Sequence, residues 1–187
     1  MTTDARTLIE DGDTALGIEF GSTRIKAVLI GPDHQVLASG SHGWESHLDD
    51  GLWSYSLDEV RAGLRNAYAS LVDDVRDEYG LTPTTYGSIG VSGMMHGYLA
   101  FNAEGRQLAQ FRTWRNTNTA EAAAELSELF GVNIPLRWSV AHLHQTICSG
   151  ETHVMRVASI NTLAGWVHEQ LTGRHVLGVG DASGMFP

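Results

Sequence analysis

The sequence contains a single cysteine, Cys148, and few basic residues. One cysteine excludes an internal disulfide and a multi-cysteine metal site, and it suits a reducing cytoplasm. Only 12 Lys and Arg stand against 22 Asp and Glu, which gives a formal net charge of −10. This excess of acid argues against a nucleic-acid partner, because such proteins concentrate basic residues on one face. No hydrophobic run approaches transmembrane length, so we expect no membrane partner.

The first 14 residues are polar and acidic, and they lack the apolar core of a signal peptide. We expect residues 1–14 to be frayed or disordered. The chain of 187 residues is 42% apolar, which is enough for one sizeable core or two small ones. It shows no internal repeat, low-complexity block or clear linker, so residues 15–187 are predicted to form one domain or part of one.

Strand and helix signals along the chain predict an α/β protein. Predicted strands cover residues 15–18, 26–30, 36–41, 86–91, 98–101 and 176–179. Predicted helices cover residues 57–79, 122–130, 139–149 and 161–172. The first three strands are expected to form an antiparallel meander, and the strand at 86–91 is expected to be buried. Ser56 and Glu59 form a capping box for the longest helix, and Asn118 is expected to cap the second helix.

The stretch from Gly17 to Lys26 has the pattern of a strand, a tight turn and a second strand. Gly21 at the turn lets backbone amides approach an anion. The Ser22 and Thr23 hydroxyls and the Lys26 ammonium add hydrogen-bond donors and positive charge. This pattern predicts phosphate binding. From these residues alone, the alternative is an ordinary β-hairpin in which the Gly and the hydroxyls only satisfy a turn.

Further along the chain, residues 92–97 form the exit of the strand predicted at 86–91. A strand that ends in soft or polar residues beside glycines is where α/β folds place ligands. Other motifs carry less. His142 and His144 are two residues apart in a predicted helix and point to different sides, so a shared metal is not expected. The glycine-rich segment 173–184 lacks the Lys-Ser/Thr pair of a Walker loop.

Four motifs, taken together and in this order, resemble the FGGY family of carbohydrate kinases. Residues 17–23 with Lys26 resemble the first phosphate motif of the sugar-kinase, actin and chaperone ATPase superfamily. Residues 90–97 look like the family's substrate-site strand, with the Met-His-Gly ending of its xylulokinase-like branch. Residues 114–117 take the place of a Trp-Asn-Asp-x-Arg segment, and residues 180–184 resemble an Asp-x-Ser/Ala segment late in the first domain.

The resemblance spans about residues 16–186 and implies the N-terminal part of an FGGY kinase. The implied fold is a ribonuclease-H-like α/β domain with a mixed sheet flanked by helices. The implied reaction moves the γ-phosphoryl group of ATP, with Mg²⁺, to an alcohol group of a ketose or polyol, such as the pentulose xylulose. The implied partners are the sugar and ATP, and a homodimer stays open as an assembly.

Site residues follow from the resemblance position by position. The residues that match the phosphate loop are Gly21, Ser22, Thr23, Arg24 and Lys26. The residues assigned to the sugar site are Met95, His96, Trp114 and Arg115. Glu19 stands where most members have Asp, and its carboxylate would lie by Mg²⁺ or by the waters of the ion. His96 can bond a sugar hydroxyl, with a structural histidine as the alternative. Trp114 offers a flat apolar face to sugar C–H groups.

Two departures from the family pattern affect the implied function. Residues 115–118 read Arg-Asn-Thr-Asn in place of Asn-Asp-x-Arg, so a sugar-site carboxylate is missing and a guanidinium stands beside the Trp. This suits a different polyol or ketose, or an acidic sugar. The family's catalytic Asp is expected beyond Pro187, with the adenosine site and the second phosphate motif. The catalytic residue is therefore unknown, the isolated chain is expected to be inactive, and Asp181 is expected to be structural.

Two functions from other classes remain open. A noncatalytic sugar-binding or regulatory remnant of such a kinase would keep His96 and Trp114 but would need no nucleotide. An actin- or chaperone-like ATPase would share only the first phosphate motif. It is disfavoured because residues 95–97 and Trp114 have no role in such a protein.

Overall fold

The computed structural model describes residues 4–187, which form helices and strands in two compact units. In chain order the elements are α1 (Ala5–Asp11), β1 (Ala15–Phe20), β2 (Arg24–Ile30), β3 (Val36–Gly43), β4 (His47–Asp49), β5 (Leu52–Ser54), α2 (Leu57–Tyr79), β6 (Ser88–Gly93), β7 (Leu99–Phe101), α3 (Ala120–Phe130), α4 (Ser139–Cys148), β8 (Ser159–Asn161), α5 (Leu163–Thr172) and α6 (Val179–Ala182). A 3₁₀ turn at Val154–Arg156 precedes β8. Within residues 4–187, every helix is too short or too polar to pass through a lipid bilayer.

We call the two units unit 1 and unit 2. Of the described residues, unit 1 comprises 4–45 and Leu57–Gly93, and unit 2 comprises Ser46–Ser56 and Met94–Pro187. The sequence predicts one domain over residues 15–187 and a separate N-terminal segment. The two units together cover the predicted domain and the described part of that segment. Each unit is described by itself below.

Unit 1 is built on a four-stranded mixed sheet with the order β3-β2-β1-β6. The strands β1, β2 and β3 form the predicted antiparallel meander, and β6 pairs with β1 in parallel. Alternate residues of β1 and β2 are buried on one face of the sheet. These residues are Leu16, Ile18, Phe20, Ile25, Ala27 and Leu29. The opposite face carries the polar residues of the same strands.

Helix α2 packs on the buried face of this sheet, as its apolar spacing predicts. Gly63 of α2 lies against Ile25 of β2, where a Cβ would overlap the Ile25 side chain. Gly40 of β3 lies against the helix backbone, where a Cβ would overlap the Ala67 carbonyl. Two glycines therefore let the helix and the sheet approach each other more closely than side chains would allow.

Unit 2 is mainly helical and contains two antiparallel ladders, β4-β5 and β7-β8. Helices α3 and α4 share a small apolar core, with Trp138 and Val140 packed on its edge. The buried residues of this core are Ala123, Leu126, Ile134 and Ala141. All three residues of β7 are buried, in agreement with the strand predicted at 98–101.

The N-terminal segment differs from its prediction. Instead of a frayed segment, the residues after position 4 form α1, which buries Leu8 and Ile9. Arg6 anchors the helix by donating to the Tyr79 carbonyl (3.0 Å), and Gly12 ends it in the left-handed conformation. Two adjacent apolar side chains are enough to dock a short helix whose composition is otherwise polar. Residues 1–3 of the predicted frayed segment lie outside the described residues.

Strand β6 is confirmed as a strand, but the prediction that it is buried is wrong. Its Ile89 is 53% exposed. Within residues 4–187, β6 pairs only with β1 and so forms an edge of the sheet. Apolar residues between glycines indicated an extended segment correctly, but they carry no information on what covers it.

Two other predictions near the C-terminus and in unit 2 are wrong. Residues 176–179 form no strand, and α6 begins at Val179 in their place. Asn118 does not cap α3, because the helix begins one residue later with Thr119 at the N-cap position. The Thr119 hydroxyl donates to the Leu136 carbonyl (2.6 Å) rather than capping the helix. At Thr119, a contact with a distant carbonyl therefore replaces the local capping signal.

Candidate phosphate and sugar sites

The predicted phosphate turn connects β1 to β2 in unit 1. The Gly21 N–H donates to the Arg24 carbonyl (3.0 Å), which closes a short loop. The loop carbonyls bond to Trp44, whose indole N–H donates to Gly21 (2.8 Å) and whose backbone N–H donates to Thr23 (3.2 Å). Ser22 and Thr23 are exposed at the tip. The turn is therefore fixed through its backbone, while the hydroxyl-bearing residues are accessible to a ligand.

Strand register places three polar residues in one row on the sheet face opposite α2. Glu19 of β1 pairs with Lys26 of β2 and with Ser92 of β6. The Lys26 Nζ lies 3.0 Å from Glu19 Oε2, and both side chains are half exposed. Gly17 and Gly90 pair in an adjacent position of the same face and present no side chain. These residues line a concave surface of about 410 Å³. We call Lys26, Glu19 and Ser92 the polar row.

In unit 2, Met95 and His96 follow β6 along the chain. His96 has a left-handed backbone (φ 71°), which is uncommon for a residue other than glycine. Its Nδ1 lies 3.1 Å from the Gly184 carbonyl. A Cβ at Gly184 would overlap the imidazole. Because a carbonyl only accepts, Nδ1 donates this hydrogen bond, and in the neutral imidazole Nε2 is then an acceptor for a ligand hydroxyl.

The glycine of the Met-His-Gly segment is held on both sides of its peptide groups. The Gly97 N–H donates to the Arg137 carbonyl (2.9 Å), and the Gly97 carbonyl accepts from the Ser139 hydroxyl (2.7 Å). Its φ is 87°, and a Cβ would overlap the Arg112 carbonyl. Only glycine fits this position without strain. The backbone that carries His96 is therefore rigid.

Asn116, which stands where the family resemblance implies an acid, has a structural role. Its buried amide makes three bonds to backbone. The Oδ1 accepts from the Trp53 N–H (2.8 Å), and the Nδ2 donates to the Trp53 carbonyl (2.9 Å) and to the Thr113 carbonyl (3.1 Å). The side chain thus pairs with β5 as a neighbouring strand would. A carboxylate cannot donate to the two carbonyls, so this position requires an amide here.

Arg115 and Trp114 flank this anchor. The guanidinium carbon of Arg115 lies 3.6 Å from the centroid of the Trp53 ring, and Arg115 Nη1 donates to the Ser46 hydroxyl (2.6 Å). Trp114 is 45% exposed. The segment therefore presents an aromatic face and a cation whose position is fixed by stacking and by one hydrogen bond.

Comparison with protein families identifies the chain. The model of the N-terminal domain of the FGGY family of carbohydrate kinases matches residues 14–186. The chain belongs to this family. The family resemblance predicted from the four sequence motifs is confirmed. A search of the curated proteins finds no match.

Solved structures of FGGY kinases share the fold at low sequence identity. A xyloylose kinase from Brucella ovis aligns with a TM-score of 0.80 at 20% identity, over 92% of this chain and 37% of that chain. A glycerol kinase from Plasmodium falciparum, solved with ADP, gives 0.77 at 17%, over 92% and 37%. A gluconate kinase from Lactobacillus acidophilus gives 0.70 at 15%, over 92% and 36%. The predicted α/β fold is confirmed, and the chain spans little more than a third of the length of these structures.

Asp181, the carboxylate in the last FGGY motif, is engaged within unit 2. Its Oδ2 accepts from the Thr162 hydroxyl (3.0 Å), and that hydroxyl accepts from the Gly165 N–H at the start of α5 (3.0 Å). The carboxylate therefore orients a helix cap. This geometry supports the structural role expected for Asp181.

Beside the sugar-site segments, unit 2 contains a buried charged cluster that sequence reasoning did not find. Arg112 is buried, donates to the Thr146 hydroxyl (3.1 Å) and pairs with Glu151. His142 of α4 is buried, and burial, followed by the nearby Arg112 charge, lowers its pKa to about 3. Burial also raises the pKa of the Tyr98 hydroxyl, over whose ring the Arg112 guanidinium lies. His142 is therefore neutral and part of the core.

Sequence reasoning also missed the residues that hold the predicted site residues in place. Trp44 supports the phosphate turn, Trp53 receives Asn116, and Gly184 supports His96. Gly184 is the last residue of the motif at 180–184, so the sequence did indicate that this glycine matters. Trp44 and Trp53 gave no such signal, because nothing in a local pattern links a tryptophan to a turn or an amide far away in the chain.

Proposed function

We propose that this FGGY chain provides a phosphate turn and a sugar pocket for an ATP-dependent kinase that acts on a ketose or polyol. The observation that carries the proposal is the polar row beside the hydroxyl turn of unit 1. It brings an ammonium, a carboxylate and a hydroxyl to one face of a sheet. This set of groups suits a magnesium-bound triphosphate.

The phosphate oxygens would be bound by donors at the turn and on β2. The proposed donors are the Gly21 loop, the Ser22 and Thr23 hydroxyls, and the Arg24 and Lys26 cations. The ion pair between Lys26 and Glu19 is half exposed, so water screens it and it contributes only about 0–1 kcal/mol. Lys26 can therefore exchange the carboxylate for a phosphate oxygen at little cost.

The residues present also fit a magnesium ion. Glu19 Oε2 contacts Lys26, and Oε1 lies 3.5 Å from the position of a Cβ at Gly21, so the carboxylate extends to the turn. Mg²⁺ prefers oxygen ligands and keeps several waters, which a half-exposed carboxylate permits. We propose that Glu19 holds the ion directly or through water. When bound, the ion offsets negative charge on the phosphoryl oxygens.

The sugar pocket would use four residues of unit 2. His96 would accept a hydrogen bond from a sugar hydroxyl at Nε2, because its Nδ1 faces the Gly184 carbonyl. Met95, 40% exposed, would contact the carbon chain, and Trp114 would offer its ring to sugar C–H groups. We propose a pentulose such as xylulose as the first candidate substrate. The Arg115 guanidinium favours an acidic sugar as the second candidate, since it binds carboxylates well.

Proton removal from the sugar hydroxyl requires a base, and the resemblance assigns that base to an Asp outside the matched motifs. Asp181 is committed to the Thr162 cap. We therefore expect the 187-residue chain alone to show no sugar-dependent ADP release. A clear release of ADP from the purified chain would contradict this expectation.

Calorimetry tests the proposed sugar pocket. We expect a pentulose to bind the chain, and His96→Asn to weaken binding about tenfold through loss of one hydrogen bond. His168→Asn on α5 is the matched control and should leave the affinity unchanged. If the substrate is acidic, Arg115→Gln should weaken the binding of an aldonate but leave the binding of a neutral pentulose unchanged. Sugar binding without any binding of magnesium-ATP would favour the noncatalytic sugar-binding module.

A further inference from the structure

Three side chains of the types that bind metals converge in unit 2, outside the residues assigned to phosphate and sugar. Glu125 lies on α3, and His144 and Cys148 lie one turn apart on α4. The His144 Nε2 is 2.7 Å from Glu125 Oε2 and 3.7 Å from the Cys148 Sγ. All three ligand atoms lie within 4.8 Å of one another. The cluster is open to solvent on the Glu125 and Cys148 side.

No single protonation state of His144 satisfies both contacts of its Nε2 nitrogen. A proton on Nε2 can be donated to the Glu125 oxygen, and the Cys148 sulfur then faces an N–H already in use. Without that proton, the nitrogen lone pair can accept from the thiol but faces a carboxylate oxygen, which is itself an acceptor. A cation between the three atoms would accept an electron pair from each of them.

One of the two ligand distances at His144 already matches a tetrahedral zinc site, and the other requires a side-chain movement. Zinc binds nitrogen at about 2.0–2.1 Å, sulfur at about 2.3 Å and oxygen at about 2.0–2.2 Å. Tetrahedral angles then place nitrogen and sulfur about 3.6 Å apart, and nitrogen and oxygen about 3.4 Å apart. The nitrogen to sulfur distance already agrees at 3.7 Å. The nitrogen to oxygen distance of 2.7 Å must lengthen, and the Glu125 side chain is 63% exposed and can rotate.

The chemistry of the donors selects the metal. A thiolate, an imidazole and a carboxylate form a mixed set that suits zinc, whereas Mg²⁺ and Ca²⁺ take oxygen ligands. The scaffold is in place because α3 and α4 are joined by their own apolar core. Leu126 of that core is adjacent to Glu125, and Ala141 is one turn before His144. The helix packing therefore holds the ligands together without a metal.

We propose that Glu125, His144 and Cys148 bind one Zn²⁺ per chain, with water as a further ligand, and that the ion links α3 to α4. The site does not depend on nucleotide or sugar. Its expected effect is on the stability of unit 2, because an ion that binds only the folded state raises the melting temperature.

Titration of the metal-free, tag-free chain with Zn²⁺ and Co²⁺ under a non-chelating reductant tests the proposal. We expect one ion per chain, and for Co²⁺ a near-ultraviolet charge-transfer band from the Cys148 thiolate. Cys148→Ser should abolish that band and weaken Zn²⁺ binding at least tenfold, and His144→Asn should weaken it similarly. Glu125→Gln should weaken Zn²⁺ binding several-fold while the cobalt–thiolate band persists.

Glu128→Gln on the same helix is the matched control for Glu125→Gln, since it removes the same charge from an exposed position outside the cluster. It should bind Zn²⁺ like the wild type. His175→Asn controls for a histidine paired with a single carboxylate, Glu169. Circular dichroism shows whether each variant is folded. If Cys148→Ser or His144→Asn is unfolded, Glu125→Gln still tests the site, because it replaces an exposed side chain. Stoichiometric binding that Cys148→Ser and His144→Asn leave unchanged, or no binding by the wild type, would overturn the proposal.

Discussion

The two units hold their candidate site residues by different means. In unit 1, Glu19 and Lys26 are seven residues apart and become neighbours through the register of a single hairpin. In unit 2, His96 is held by Gly184, 88 residues away, and Asn116 is held by Trp53, 63 residues away. The polar row is half exposed, whereas the Asn116 amide is buried. Glu19 and Lys26 of unit 1 can therefore change partners, whereas His96 and Asn116 of unit 2 are fixed by their surroundings.

The energetic consequence follows from burial. A half-exposed ion pair contributes about 0–1 kcal/mol, because water competes for both charges. A buried amide with three backbone bonds contributes about 1 kcal/mol for each bond, and losing one partner exposes an unsatisfied group to the core. Substitutions at the unit 2 anchors should therefore reduce stability much more than substitutions in the polar row. The predictions below test this contrast.

The largest loss is expected for Gly97→Ala in unit 2. The added Cβ would overlap the Arg112 carbonyl and force a left-handed backbone on alanine. Strain and overlap together should lower the free energy of unfolding by about 3 kcal/mol or more. Urea denaturation measures this loss. Gly105→Ala is the control, because it shares a positive φ but sits in an exposed turn, and it should cost about 1 kcal/mol. Equal losses at the two glycines would show that overlap at Gly97 is unimportant.

A somewhat smaller loss is expected for Asn116→Asp, which restores the acid of the family pattern. The carboxylate loses both donations to the Trp53 and Thr113 carbonyls and places its charge beside them. We expect the free energy of unfolding to fall by about 2–3 kcal/mol. Asn118→Asp, two residues away and exposed, should change it by less than about 0.5 kcal/mol. An Asn116→Asp protein as stable as the wild type would contradict the structural role of this amide.

Acid should destabilise unit 2 through His142. Its pKa is about 3 in the folded chain and about 6.5 when unfolded, so the unfolded state binds more protons between these values. The stability from the neutral imidazole is complete above pH 6.5 and is lost as the pH falls toward 3. Between pH 6 and pH 5 this group should cost about 1 kcal/mol.

His142→Phe keeps a buried ring that does not titrate, so its unfolding free energy should fall by about 1 kcal/mol less over that pH range. His34→Asn removes an exposed histidine of unit 1 and should keep the wild-type pH dependence. Denaturation curves at pH 6 and pH 5 provide the measurement. A pH dependence in His142→Phe equal to that of the wild type would mean that the imidazole binds protons equally in the folded and unfolded states.

The smallest effect on stability is expected in the polar row. Glu19→Gln and Lys26→Gln should each change the free energy of unfolding by less than about 1 kcal/mol, since the pair is half exposed. The double variant should lose no more unfolding free energy than the two single variants lose together. A loss comparable to that of Asn116→Asp would remove the distinction between the two units.

Local patterns in the sequence predicted the parts of the fold that depend on local physics. The hairpin of β1 and β2 and the helix at 57–79 follow from apolar periodicity and capping residues, and both are present. The predicted cap at Asn118 failed because Thr119 takes the N-cap position and bonds to the distant Leu136 carbonyl. The predicted strand at 176–179 failed because its short apolar run does not distinguish a strand from the start of a helix. Burial of β6 failed because periodicity does not reveal what packs on a strand.

The candidate site divides in the same way. The hairpin pattern brought Glu19 and Lys26 to one row, because strand pairing follows from a short turn. The support of His96 by Gly184 required tertiary structure. Only part of the cluster of Glu125, His144 and Cys148 can be predicted from the sequence. His144 and Cys148 are one helical turn apart on a predicted helix, but Glu125 comes from another helix. The roles of these residues in binding remain predictions.

Labelling of Lys26 with an acyl phosphate of ATP tests most directly whether the polar row and the adjacent turn bind phosphates. Lys26 is the only lysine in the sequence, so an acyl group transferred to a side-chain amine reports on this position, with the α-amino group as an internal reference. We predict that peptide mass spectrometry finds Lys26 acylated, that magnesium-ATP blocks the reaction, and that Thr23→Ala reduces it. Acylation of Lys26 no faster than that of the α-amino group, and unaffected by magnesium-ATP, would contradict the proposed phosphate site.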